Sequence, residues 1–201
     1  MMISLLMRTL NEEPHIEECL RYHSPHVDYI HVFDGGSEDR TLELAEYYAD
    51  KITVDDDKHW GRFTTKAIAL IPSEHKWVLM VDADEFMDID LLHRMRQIVS
   101  TYKTISYRFP RINLPNARDY PDYHVRLFRN DVNIVWMNKI HEVPTLNGRT
   151  LSSLTSEECL TLHKYPITHL PRRTDIMRQW WNRDGTYKTI EELGETYEFE
   201  K

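Results

Sequence analysis

Trp77-Val78-Leu79-Met80-Val81 is an unbroken apolar run that stops on Asp82-Ala83-Asp84. A run so short, with no polar alternation, reads as a strand buried on both faces whose acids emerge at its end. The same kind of run recurs upstream at Ile3 to Met7, Tyr29 to Phe33 and Ile52 to Val54. Between the runs the apolar spacing turns helical. Ile16, Cys19 and Leu20 mark one helix, with Pro14 near its start, and Leu42, Leu44, Ala45 and Tyr48 mark the next. Ala67, Ile68 and Leu70 mark a third, and a fourth is expected from Asp90 to Ser100. Strand and helix alternating at this pitch predict an α/β fold with a mostly parallel central sheet covered by helices on both faces.

Downstream the pattern changes. Ser106 to Phe109 and His124 to Phe128 read as strands, with a Pro- and Asn-bearing loop from Pro110 to Asp122 between them. Asn133 to Trp136 and Leu160 to His163 are weaker strand candidates. Thr174 and Asp175 look like the cap and first turn of a helix carrying Ile176, Met177, Trp180 and Trp181. The expected organisation is one domain over residues 1–201, with a parallel half (1–100), a smaller mixed or antiparallel part (101–185) and a polar tail (186–201).

Composition narrows the function. With 33 acidic against 25 basic residues the net charge is −8, which argues against a nucleic-acid partner. No apolar run is long enough to cross a bilayer, and the start MMISLLMRTL lacks the charged region of a signal peptide. Cys19 and Cys159 stand far apart and outside any CxxC spacing, so neither a disulfide framework nor a thiolate zinc site is expected. These readings make the cytoplasm the default location.

A parallel α/β sheet binds nucleotides at the carboxyl ends of its strands. Here the first such turn reads Arg8-Thr9-Leu10-Asn11-Glu12-Glu13, without a glycine, and neither GxGxxG nor GxxxxGK[ST] occurs anywhere. Any diphosphate bound there must be neutralised by something other than glycine-loop amides. Asp82 and Asp84 are one answer. Strand alternation puts both on one side, where two carboxylates repel unless a proton or cation lies between them, and hard oxygen ligands favour Mg²⁺ or Mn²⁺. The competing reading is two solvated acids in a turn. A second motif, Asp34-Gly35-Gly36-Ser37-Glu38-Asp39-Arg40-Thr41, follows the second strand. Its glycines allow a tight turn and Ser37 can cap the next helix. Asp34 has no such duty, and at the same edge as Asp82 it can accept hydrogen bonds from a ribose or a base.

MRTLNEE, FDGGSEDRT and WVLMVDADEF, in this order over roughly residues 3–87, resemble the signature of family 2 glycosyltransferases of the GT-A fold. Fainter similarity continues in His124-Val125-Arg126-Leu127-Phe128-Arg129, Lys139-Ile140-His141-Glu142 and Ile167-Thr168-His169-Leu170-Pro171-Arg172. The resemblance implies a nucleotide-sugar-binding half at 1–100 and an acceptor-binding half at 101–185. It places Thr9, Asn11 and Asp34 on the nucleoside, Asp82 on ribose or metal, and Asp84 on a Mn²⁺ or Mg²⁺ ion. Arg62 and Lys66 would approach the diphosphate, although an exposed helix face explains either alone. His169 is the candidate third metal ligand, set against a background of 11 histidines, most of them structural. Glu142 is the candidate general base, with Asp119 and Asp122 in reserve. The His141-Glu142 pair is not a metalloprotease signature, because Thr145 stands where a second histidine is needed.

The implied activity is metal-dependent, inverting transfer from a nucleoside-diphosphate sugar, a UDP-sugar first, to a hydroxyl of a glycan or glycoprotein. The loop from Pro110 to Asp122 would hold the acceptor, with Tyr120 and Tyr123 available to stack on sugar rings. Two rivals stand beside it. A sugar nucleotidyltransferase lacks its glycine- and arginine-rich loop here, and a non-catalytic nucleotide- or glycan-binding domain would need no metal.

Overall fold

Four parallel strands form the first half of the sheet in the computed structural model, which describes residues 1–113, 122–139, 141–150, 153–155 and 157–170. They are β1 (Ile3–Thr9), β2 (Tyr29–Asp34), β3 (Lys51–Val54) and β4 (Trp77–Asp82), in the spatial order β3-β2-β1-β4. β1 is central and buried along its whole length, as its lack of alternation predicts. Its side chains divide between two cores. Ile3, Leu5 and Met7 pack with α1 (Ile16–His23) and α4 (Ile89–Thr101), whereas Leu6, and Leu10 just past the strand's end, pack with α3 (Trp60–Ala69). Each large side chain buried in these cores contributes roughly 1.5–3 kcal/mol against the ordering entropy of the chain. α2 (Thr41–Ala45) stops sooner than the spacing to Tyr48 suggests. The N-cap of α4 is Asp88, whose carboxylate accepts from Asp90 and Leu91 amides at 2.9 and 3.1 Å.

The sheet then continues with β7 (Asp122–Arg129), β6 (Ser106–Asn113), β12 (Ile167–His169) and β5 (Glu85–Met87), while β11 (Cys159–Thr161) pairs parallel to β6. β4–β7, β7–β6 and β12–β5 are antiparallel pairs, so the sheet is mixed but mostly parallel. A separate antiparallel sheet, β8 (Ile134–Met137), β9 (Val143–Leu146) and β10 (Arg149–Thr150), lies over α3 through Ile134, Trp136 and Leu146.

Two expectations are corrected. The stretch expected to be a loop from Pro110 is strand as far as Asn113. On one side of β6, β11 pairs with residues 106–108 and β12 with residues 111–113, so Pro110 stands in the gap between them, while on the other side it lies opposite Tyr123 of β7. Strand β4 ends at Asp82, with Ala83-Asp84 in a turn, so strand alternation does not extend to Asp84. The helix expected at Thr174, together with Asp119, Tyr120 and the polar tail, lies outside the described residues. Among the described residues no helix is long and apolar enough to cross a membrane.

Candidate active site

The first two motifs are sewn together at the carboxyl edge of the sheet. The amides of Asn11, Glu12 and Glu13 donate to Ser37 Oγ, Thr41 Oγ1 and Asp39 Oδ2 at 2.8, 2.7 and 3.1 Å. In return, Asn11 Oδ1 accepts from the Glu38 amide at 2.8 Å, with Asn11 itself at φ 52°, a conformation asparagine tolerates. Ser37 is therefore a bridge between turns, not the helix cap expected from sequence. The start of α2 is served instead by Asp39, which accepts from the Thr41 amide at 2.9 Å. Asp34 is fully buried and takes donors on both oxygens: the Gly36 and Ser37 amides at 2.7 Å each, and Thr9 Oγ1 at 2.9 Å. Thr9 and Asp34 are cross-strand partners in the β1–β2 register, which is why they meet. The amides of the turn after β1 thus already have side-chain acceptors, consistent with the missing glycines.

One strand over, Arg8 and Asp82 are partners in the β1–β4 register. Arg8 donates to Asp82 Oδ1 at 2.8 Å and to Thr64 Oγ1 at 2.8 Å, and it forms an ion pair with Glu142. Arg126 donates to Asp82 Oδ2 at 2.8 Å and clamps Glu85 through two bonds of 2.7 Å. The β6–β7 register slips at this point, from Tyr107↔Leu127 to Arg108↔Val125, leaving Arg126 as the bulged residue. A bulge re-aims its side chain, and here it directs the guanidinium to two acids of the Asp82-to-Glu85 turn. Arg111 prolongs the chain of charges, reaching Glu85 at 3.5 Å and Asp122 at 3.0 Å. Burial works against the charge on Arg8, but Asp82 and Glu142 outweigh it, so its pKa lies above the ordinary arginine value. For Arg126, burial is likewise overcome by Glu85 and Asp82.

Asp84 has different company. It is fully buried, and its Oδ2 lies 3.2 Å from His169 Nε2. The antiparallel pairing of β12 with β5, His169 opposite Glu85, delivers the histidine across 85 residues of sequence. His169 Nδ1 donates to Asn113 Oδ1 at 2.7 Å, which leaves Nε2 facing Asp84. An imidazole nitrogen oriented by a second residue beside a carboxylate oxygen is a donor set that fits Mn²⁺ or Mg²⁺. The 3.2 Å separation is close to the about 3.0 Å between adjacent donors on an octahedral ion with bonds of about 2.1 Å. Among the described residues no group of three or more such ligands is gathered. Asp82, expected to share the ion, has both oxygens on Arg8 and Arg126 instead.

The remaining expected residues divide. Glu142 is brought to the Arg8–Asp82 pair, on the segment between β8 and β9. Arg62 and Lys66 are about half exposed or more, and both pair with acids after β3: Arg62 with Asp57 at 2.9 Å, Lys66 with Asp55 and Asp57 at 3.0 Å. The reserve base Asp122 is held well below the usual carboxylate range by His124 and Arg111, which makes it a poor proton acceptor. Asp119 falls outside the described residues. Sequence reasoning missed Arg8, Arg126, Glu85 and Asn113. Arg8 reads as the first residue of the turn after β1, whereas it is the buried penultimate residue of the strand.

Fold and site together define a GT-A-type domain, a parallel half with acids at the end of β4 and a second half that supplies His169 and Glu142. The sequence model for Glycosyl transferase family 2 matches residues 4–156, and the chain belongs to that family. A TPR repeat-containing protein of Synechococcus elongatus is 27% identical over 142 residues, 70% of this chain and 35% of its own. TarS of S. aureus superposes with a TM-score of 0.63 at 14% identity, over 100% of this chain and 46% of its own. TarS 1-349 in complex with UDP-GlcNAc gives 0.60 at 14% identity, over 95% and 68%. Glucosyl-3-phosphoglycerate synthase of Mycobacterium tuberculosis, in complex with Mn²⁺, UDP and glucosyl-3-phosphoglycerate, gives 0.58 at 14% identity, over 94% and 81%. The chain spans about a third of the curated relative and about half of TarS.

Proposed function

We propose that this chain transfers a sugar from a UDP-sugar to a hydroxyl of a glycan or glycoprotein acceptor, with inversion at the anomeric carbon and a divalent metal at Asp84 and His169. The observation that carries the reading is the Asp84–His169 pair at 3.2 Å, with the imidazole oriented by Asn113, at the edge where β4 ends. The solved relatives that hold UDP-GlcNAc, or Mn²⁺ with UDP, support the choice of donor and ion.

In this proposal Thr9, Asn11 and the turn shaped by Asp34 receive the nucleoside, and Asp82, anchored by two arginines, faces the ribose. Arg62 and Lys66 exchange their aspartate partners for the diphosphate. When bound, a Mn²⁺ or Mg²⁺ ion supplies positive charge against the negative charge that grows on the departing diphosphate. Glu142 accepts the proton of the acceptor hydroxyl as that oxygen attacks the anomeric carbon from the face opposite the diphosphate, whose bond to that carbon breaks. For this step Glu142 releases one oxygen from Arg8. Arg8 then remains on Asp82 and Thr64, so its charge stays buried with a partner.

Glu142→Gln is expected to lower kcat by about 10²-fold or more while UDP affinity holds, because the proton-accepting group is lost while Arg8 keeps Asp82 and Thr64 as partners. Asp84→Ala is expected to abolish both sugar transfer and donor hydrolysis in a protein that still unfolds cooperatively. Wild-type turnover of Asp84→Ala with Mn²⁺ present contradicts the proposal, and wild-type turnover of Glu142→Gln moves the base elsewhere.

A further inference from the structure

The segment that carries Glu142 is docked on the amino end of α3. The amides of Trp60 and Gly61, which a free helix end would leave without partners, donate to the Lys139 and Asn138 carbonyls at 3.0 and 3.1 Å. Two further residues of the same helix hold the neighbours of that segment. Thr65 Oγ1 accepts from the Trp136 amide at 3.0 Å, and Thr64 accepts from Arg8, which in turn holds Glu142. The approach is as close as backbone permits: a Cβ at Gly61 would lie 2.7 Å from both the Asn138 and Trp136 carbonyl oxygens and 2.9 Å from the Met137 carbonyl carbon. Those are backbone atoms, so they yield only if the segment moves. Asn138 and His141 hold the reversal at φ 72° and 53°, the left-handed region.

We infer that α3 is the seat of the general base, and that Gly61 is a positioning residue for Glu142 although it touches neither donor nor acceptor. The inference rests on the reading of Glu142 as base. Its consequence is that the donor half sets the position of a group belonging to the acceptor half. In most helices glycine to alanine is favourable. At position 61 the added methyl would instead lift residues 136–139 and carry Glu142 with them.

The test uses the full chain and amide hydrogen exchange read at Trp60, alongside steady-state kinetics with a UDP-sugar. Gly61→Ala is expected to speed Trp60 exchange about tenfold or more and to lower kcat by roughly 10–10²-fold, the scale of an ångström-sized misplacement. The KM for donor and the affinity for UDP should stay within about threefold. Asn138→Val opens the segment from its other side, since a β-branched residue resists positive φ, and should reproduce both effects; Asn138→Gly should keep wild-type exchange. Wild-type exchange at Trp60 in both Gly61→Ala and Asn138→Val overturns the seat. Faster exchange with unchanged kcat overturns the positioning role. Should the wild-type chain transfer no sugar from any nucleotide donor, the proposed function falls, and the exchange arm still decides whether α3 seats the segment.

Discussion

Arg126 illustrates what a single side chain does at this site. It neutralises Asp82 and Glu85 at once from a bulged position, in a region where both acids are almost entirely out of water. Replacing it by methionine would keep most of the volume but leave Asp82 to Arg8 alone and the fully buried Glu85 to Arg111 at 3.5 Å, for which a loss of about 3–5 kcal/mol is expected in urea unfolding at neutral pH. A loss below about 1 kcal/mol would mean that Arg8 and Arg111 suffice. Little of this was legible beforehand. Asp82 was readable as an acid at a strand end, but its partners lie 74 and 44 residues away, and the register slip that aims Arg126 leaves no mark in the sequence. Asp34 was readable for the same reason as Asp82. Its engagement by the turn that follows depends on the φ of +89° at Gly36, which the Gly-Gly pair does announce.

At the scale of elements, the turns after β1 and β2 are a single unit, because side chains of the second accept the amides of the first. Gly36→Ala tests it. No atom lies within 4 Å of where the methyl would go, so the cost is backbone strain alone, about 1–2 kcal/mol. The expected outcome is that loss in urea unfolding together with weaker UDP binding, because the strained turn pulls on Asn11 through Ser37. Unchanged UDP affinity at the reduced stability would separate the turn from the nucleoside site. The parallel half was legible in sequence because buried strands and amphipathic helices write their periods directly. The longer strands of the second half, β6, β7 and β8, were legible as well, and β11 weakly so. β5, β10 and β12 were not, because two or three residues are too few for any period and only pairing holds them in place. His169 was reachable only through family resemblance, since nothing local to β12 indicates that it pairs beside the turn after β4.

For the whole molecule, a buried histidine is expected to weaken stability in acid. His23 is wholly buried, donates through Nδ1 to the Cys19 carbonyl at 2.8 Å and accepts at Nε2 from the Met87 amide at 3.3 Å, an arrangement that suits the neutral ring. Burial pulls its pKa down to about 4. The unfolded chain takes up that proton near pH 6.5, and the folded chain refuses it until about pH 4, so this stability is complete above about 6.5 and is lost as pH falls toward 4. About 2 kcal/mol should go between pH 7 and pH 5 from His23 alone, and urea midpoints across that range check it against His23→Gln, whose pH slope should be shallower. The proposed function requires a diphosphate to be held where loop amides already have acceptors. Calorimetry of UDP binding, with Mn²⁺ and then with excess chelator, tests this most directly in the wild type and in Asp84→Ala and His169→Ala. The account predicts at least about tenfold tighter UDP binding with Mn²⁺ in the wild type and no effect of Mn²⁺ in either variant. UDP affinity that is the same with metal and with chelator, or an Mn²⁺ effect that survives both substitutions, would contradict it.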